Sequence, residues 1–445
     1  MPNSSPILET STPRWFRLDN AAKLYPAIST GARASFFRLS AILKEPVDPS
    51  TLQTALDVVL PRFPAFAVRI HRGLFWYYFA HNPNRLEVQP DVTNPCVRMH
   101  WHENKGFLFR VFHYDHRISV EFFHALGDGS GALVFLKTLL AEYLVQKASG
   151  TTPLSPEDVY RDGVLDPREV PHPEEYEDAF TRYASDRPTT GRREPSAYHV
   201  SSTAEPVHTL DILTGVLPVD RLLEVSRGLQ VSITEYLTAV YMEVLCDLQR
   251  EELARRGQRP RAGRALPVRI QVPLNLRKFF PTRTVRNFSY FINIGVDAAQ
   301  GDYSFQEILR IVHHTMRLGL DPRGLAAQFG QNVRPERNLL LRVAPLFIKN
   351  FAIAEIFRRV GEPTSSGTLT NLGAVELPPV LASAVDRFEM ALGPSFLNRT
   401  SAAAVSFGGQ LAVTFSRTCK ETVIERGFFT KLVRDGIPVR IESNR

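Results

Sequence analysis

The segment Phe123-His124-Ala125-Leu126-Gly127-Asp128-Gly129-Ser130-Gly131-Ala132 gathers a titratable ring, a carboxylate and three glycines at one point of the chain. An imidazole, with an ordinary pKa of about 6.5, can take a proton from a hydroxyl or amine and return it to a leaving group at neutral pH. Acyl transfer from a thioester needs little more, because the departing thiol has a pKa of about 8.5 and no covalent enzyme nucleophile is required. Asp128 can hold the loop by pairing with an arginine, and Gly129 allows a tight turn and close access for substrates. Two other readings of the same residues compete with this one. Gly127-Asp128-Gly129-Ser130-Gly131-Ala132 fits the loose G-x-G-x-x-A dinucleotide fingerprint. That fingerprint requires a second strand soon after the helix, and the sequence runs instead into Ser149-Gly150-Thr151-Thr152-Pro153. The remaining reading is a capped turn without chemistry, in which Asp128 caps the helix and the glycines take positive φ.

The elements around this segment decide where it stands. Phe107 to Phe112 and Ile118 to Phe123 flank Tyr114-Asp115-His116-Arg117 and read as a β-hairpin, so His124 falls at a strand end. From Gly131 the period becomes helical, with Leu133, Leu136, Leu140 and Tyr143 or Leu144 on one stripe. Upstream, Asp48-Pro49-Ser50 opens an amphipathic helix that ends at Pro61, and Gly73 to Ala80 is strand-like. Residues 150 to 205, rich in Pro, Glu, Arg and Ser, form the expected crossover. Ser232-Ile233-Thr234-Glu235 is a capping box before a long helix, strands follow at Val268 to Leu274 and Phe288 to Val296, and Gly408-Gly409 joins a terminal hairpin. The pattern is α+β, organised as an N-terminal lobe (1–185), a linker (186–205) and a C-terminal lobe (206–445).

Composition narrows the function. A chain of 445 residues, 44% apolar and with a net charge of +7, is that of a folded globular protein with a modest basic excess. The arginines between Arg250 and Lys278 lack interleaved stacking aromatics, so no nucleic-acid partner is expected. Cys96, Cys246 and Cys419 are odd in number and far apart, which points away from disulfides and towards the cytoplasm. No metal site is expected: His113, Asp115 and His116 belong to a hairpin turn, and His313-His314 are adjacent on a helix, about 100° apart. The longest apolar stretch, Leu339 to Phe357, is broken by Arg342, Pro345, Lys349 and Glu355. It reads as an amphipathic core helix and not an integral membrane segment, with contact at a membrane surface as the alternative.

His124-x-x-x-Asp128-Gly129 resembles the His-x-x-x-Asp-Gly motif of the coenzyme A-dependent acyltransferases, which include chloramphenicol acetyltransferase, plant acyltransferases and peptide-synthetase condensation domains. Other segments agree in order: Pro61-Arg62-Phe63-Pro64, Val272-Pro273-Leu274-Asn275-Leu276-Arg277, Asn287 to Asn293, and Thr368-Leu369-Thr370-Asn371-Leu372-Gly373. The likeness extends along the whole chain and is greatest to bacterial proteins called alcohol acetyltransferases. It implies a two-lobed chloramphenicol-acetyltransferase-like fold, each lobe a mixed sheet with helices, and a tunnel between lobes. It further implies that His124 is the general base and that Arg62 stands where an early arginine can pair with Asp128; Asn371, with Thr370 beside it, is then a candidate donor to a developing oxyanion or to a pantetheine arm, a turn asparagine being the plain alternative, and Arg277 a candidate partner for a carboxylate between lobes or for coenzyme A. A coenzyme A thioester would be the co-substrate, with no permanently bound cofactor and a small lipophilic alcohol or amine as acceptor. A carrier-protein donor and a catalytically silent scaffold are the alternatives. Phe123 departs from the doubled His-His form, and the absence of Asp-Phe-Gly-Trp-Gly disfavours the plant branch.

Overall fold

In the computed structural model, which describes residues 14–30, 33–148, 154–187, 194–258 and 265–445, the fold is built on two large sheets and a small one. Runs rich in Phe, Ile and Val make the centre of the first sheet. Its strand order is Val385–Leu392, Phe36–Leu43, Arg117–Phe123, Phe109–Tyr114, Val88–Pro90. The edge strand Val385–Leu392 arrives from far down the chain and pairs antiparallel with Phe36–Leu43, so this sheet is not drawn from one contiguous stretch. The second sheet has seven strands, in the order Ser289–Val296, Val268–Asn275, Gly367–Ala374, Thr400–Phe407, Gln410–Arg417, Asp211–Pro218, Arg440–Ser443. Trp15–Arg17, Tyr77–His81 and Val68–Arg72 form the small sheet.

The hairpin that leads to His124 turns at Asp115, whose φ of 47° is tolerated because a short polar side chain can occupy the left-handed region. Its strands stack Phe109 on Phe122 at 4.8 Å, and Phe66 and Phe135 meet Phe122 edge-on. Each of these rings buried is worth about 1.5–3 kcal/mol, which anchors the strand one residue short of Phe123-His124. The helix Gly129–Ala148 begins two residues earlier than its periodicity suggests and packs against both the helix Pro49–Val59 and the sheet. It is buried on several sides, including at Lys137 and Glu142, which explains why its apolar residues extend beyond a single stripe.

Three expectations are corrected. Gly73 to Ala80 is not one strand: Gly73 N–H donates to Trp76 O at 3.0 Å, making 73–76 the turn between Val68–Arg72 and Tyr77–His81. The glycines of the 127–131 loop are not at positive φ. Leu339 to Phe357 is not a core helix: Pro345 divides it into Leu339–Val343 and Leu346–Val360, and Leu346 is the one residue of the two helices that is buried. Cys96, Cys246 and Cys419 are buried free thiols. Among the described residues, no helix is long and apolar enough to cross a membrane.

Candidate active site

The loop that carries His124 is clamped on one side by a segment more than a hundred residues away. Asp128 organises the clamp. Its Oδ1 accepts the Gly131 N–H at 3.0 Å and so caps the helix, while its Oδ2 accepts both Arg277 Nη1 and the Phe288 N–H at 2.8 Å. Arg277 is fully engaged elsewhere as well, donating from Nε to Thr284 O at 2.9 Å and from Nη2 to Arg286 O at 2.5 Å. The glycines make the approach possible. A Cβ on Gly131 would stand 1.8 Å from Val285 O and one on Gly127 2.8 Å from the same atom. Neither position can carry a side chain while the 285–288 backbone stays where it is. These glycines therefore serve close packing of backbone on backbone, and no phosphate-binding turn is needed to account for them.

Arg62 does not reach Asp128. Its Nη1 pairs with Glu175 Oε2, its Nη2 donates to Glu175 Oε1 at 2.8 Å, and its Nε donates to Asp166 O at 3.2 Å. The early arginine braces the back of the clamp instead, because the Glu175 carbonyl accepts the Val285 N–H at 2.9 Å. Arg277 is the residue that meets Asp128.

His124 is half-buried, with Tyr25 stacked on its ring at 4.5 Å and Phe37 edge-on at 5.1 Å. Its Nδ1 lies 3.1 Å from Asn287 Oδ1. The amide of Asn287 is oriented by Asp19, which accepts Asn287 Nδ2 at 3.2 Å, so the carbonyl end faces the imidazole. A carbonyl oxygen can only accept, which assigns the proton to Nδ1 and leaves the lone pair on Nε2. Burial pushes the His124 pKa below its ordinary value, opposed by hydrogen bonding to its own backbone, by the charge of Asp128 and by Asn287. Burial likewise raises Asp19, to about 6, against the opposing charge of Arg286 at 3.6 Å. An imidazole held in this tautomer, neutral at pH 7, can accept a proton at Nε2.

The opposite side of the loop is looser. A Cβ on Gly129 would meet Met390 Cε at 3.2 Å and Leu372 Cδ1 at 3.4 Å, both the ends of flexible side chains. Leu372 belongs to the strand Gly367–Ala374, which also carries Thr370 and Asn371. Asn371 is tied both to a distant helix and to its own strand: Nδ2 donates to Thr234 Oγ1, in the helix Ile233–Arg255, and Oδ1 accepts the Gly373 N–H, each at 2.9 Å. Thr370 is half-buried and pairs in register with Ala403. Two small cavities, one lined by Val200, Thr400 and Cys419 and the other by Cys246, Gln249 and Tyr303, include no residue of the His124 loop. No cluster of three or more His, Cys, Asp or Glu able to hold a metal occurs among the described residues.

Asn287, Asp19, Tyr25 and Phe37 were not singled out from the sequence. Asn287 lies inside the 287–293 segment that contributes to the resemblance, but nothing in its neighbours marks it as the histidine's partner. Asp19 and Tyr25 sit in stretches without any recognisable pattern.

No family model matches this sequence, and no curated protein does. Solved structures do. Trichothecene 15-O-acetyltransferase TRI3 from Fusarium sporotrichioides aligns with a TM-score of 0.58 at 10% identity, over 95% of this chain and 94% of that one. TRI101 from F. graminearum, complexed with coenzyme A and T-2 mycotoxin, aligns at 0.58 and 10% identity over 96% and 99%. The condensation domain of the Monacolin K polyketide synthase MokA aligns at 0.56 and 12% identity over 95% and 96%. The chain spans 42% of the length of the nonribosomal peptide synthetase FmoA3, to which it is also similar. The chain thus has the two-lobed α+β fold shared by these acetyltransferases and condensation domains, the fold expected from the His-x-x-x-Asp-Gly resemblance.

Proposed function

We propose that this protein transfers an acyl group, acetyl in the first instance, from a coenzyme A thioester to a hydroxyl or amine of a small lipophilic acceptor. The observation that carries the reading is the 3.1 Å contact of His124 Nδ1 with the Asn287 carbonyl oxygen, which assigns the proton to Nδ1 and leaves Nε2 to act as base. The acceptor's oxygen or nitrogen attacks the thioester carbonyl as Nε2 takes its proton. The tetrahedral adduct then expels the thiolate, which recovers the proton from the imidazolium. Asp128 takes no proton in this scheme; it positions the loop. The unused N–H of Asn371 and the Thr370 hydroxyl are the donors we assign to the thioester side. Donor and acceptor enter from opposite faces of a passage between the lobes. Acyl transfer is supported by the fold shared with TRI3, TRI101 and the MokA condensation domain, and coenzyme A by the TRI101 complex. Likeness to condensation domains favours one second reading, a donor thioester held on a carrier protein.

Purified protein offered a panel of acyl-coenzyme A donors and simple alcohols and amines is expected to release free thiol. His124→Ala is expected to lower the rate by at least ~100-fold. An unchanged rate in the variant would remove His124 from the mechanism. Turnover with a carrier-bound thioester but with no free coenzyme A ester would favour the second reading, and turnover with neither would leave a silent scaffold.

A further inference from the structure

The helices Leu339–Val343 and Leu346–Val360 and the 73–76 turn form one apolar projection. Leu340 is 78% exposed, Phe351 75% and Leu74 71%, with Leu339, Phe347 and Trp76 also exposed around them. The projection is fixed in place: Leu346 N–H donates to Leu74 O and Lys349 Nζ to Phe75 O, both at 2.8 Å, and Asn350 Nδ2 donates to the Tyr77 hydroxyl at 2.7 Å. Folded monomers rarely leave contiguous apolar surface of this kind in water unless something covers it.

The surrounding charge indicates what does. Arg17 lies over the Trp76 ring at 6.0 Å, Arg72 and Arg342 are exposed beside the apolar residues, and Arg358 and Arg359 close the far end. Glu355 is the acidic residue of the 339–360 stretch, and it is occupied by Arg358 and Arg359. A second copy of the chain docking through the same face would set cations against cations. An anionic bilayer answers both features at once: acyl chains take the leucines and phenylalanines, the indole sits at the interface, and lipid phosphates meet the arginines.

We propose that this face docks on an anionic membrane surface. Its place in the fold gives the docking a use. The helix Leu24–Ile28 packs against Leu346–Val360, and Tyr25 on that short helix stacks on His124. One short helix therefore separates the docking face from the imidazole. On the acyl-transfer reading, the acceptor is then a membrane-partitioned alcohol or amine that enters beside Tyr25.

The test of docking needs no turnover, so it stands or falls separately from the acyl-transfer reading. Full-length protein is sedimented with vesicles of phosphatidylcholine mixed with phosphatidylglycerol, and with vesicles of phosphatidylcholine alone. Binding to the mixed vesicles that weakens with added salt is expected, together with at least a ~10-fold loss in Leu340→Ser/Phe351→Ser. Val433→Ser, an exposed apolar position on the helix Val423–Arg434, is expected to bind as the unaltered protein does. Equal binding by the double variant would overturn the proposal. So would a concentration-dependent dimer, seen by light scattering, that the double variant abolishes while vesicle binding is absent.

Discussion

The 127–131 loop meets two kinds of neighbour. Towards residues 275–288 it touches backbone: Val285 O crowds Gly127 and Gly131, and Asp128 is saturated by a helix N–H, the Phe288 N–H just ahead of a strand and a guanidinium. Towards Leu372 and Met390 it touches only the ends of side chains that can swing away. A backbone-lined contact has no slack, whereas methyl and thioether termini can repack at little cost. The first side holds the imidazole in position. On the acyl-transfer reading proposed above, the second is the side that would yield to a substrate's bulk.

The largest effects should come from the clamp. Arg277→Met leaves Asp128 buried without its cation and is expected to cost about 3–5 kcal/mol in urea unfolding, with loss of thiol release from the molecules that remain folded. Arg62→Met strands Glu175 and is expected to cost a similar stability, yet to retain turnover per folded molecule, because its contact with the clamp runs through one backbone carbonyl. Equal loss of turnover in both variants would erase the distinction between the two arginines.

The glycines sharpen the comparison at smaller magnitude. Gly131→Ala must displace Val285 and is expected to destabilise by about 1–3 kcal/mol. Gly129→Ala is expected to cost less than about 1 kcal/mol and to act on KM more than on the unfolding midpoint. The reverse order would mean that Leu372 and Met390 form the rigid side.

The smallest effect is the pH dependence. Because burial lowers the folded-state pKa of His124, the acid limb of kcat/KM is expected to have its midpoint below about 6.5. In the window between the folded value and about 6.5 the unfolded chain binds more protons than the native one. Stability due to this group is therefore complete above that window and is lost as pH falls through it. An acid limb above 6.5 would show that the neighbouring carboxylates, and not burial, govern the ring.

Much of this was legible in the sequence where the governing interactions are local. The hairpin ending at Phe123, the helix after Gly129 and the capping box at Ser232 follow from periodicity and caps that act over a few residues. Leu339 to Phe357 misled because an apolar stretch signals a need for cover without saying what supplies it. Pro345 and the placement of the 73–76 turn left all but one of those residues outside the core.

By itself the sequence determined that His124, Asp128 and Gly129 stand together at a strand-to-helix junction, since only six residues and two local periodicities are involved. Which arginine meets Asp128, and which groups fix the imidazole, were decided by tertiary structure. Arg62 and Arg277 are equally capable of pairing with a carboxylate, so residue type could not choose between them. The close approach of residues 275–288 through Gly127 and Gly131 brought Arg277 to Asp128 and Asn287 to His124. It did so by packing backbone against backbone across a sequence separation that no local pattern encodes.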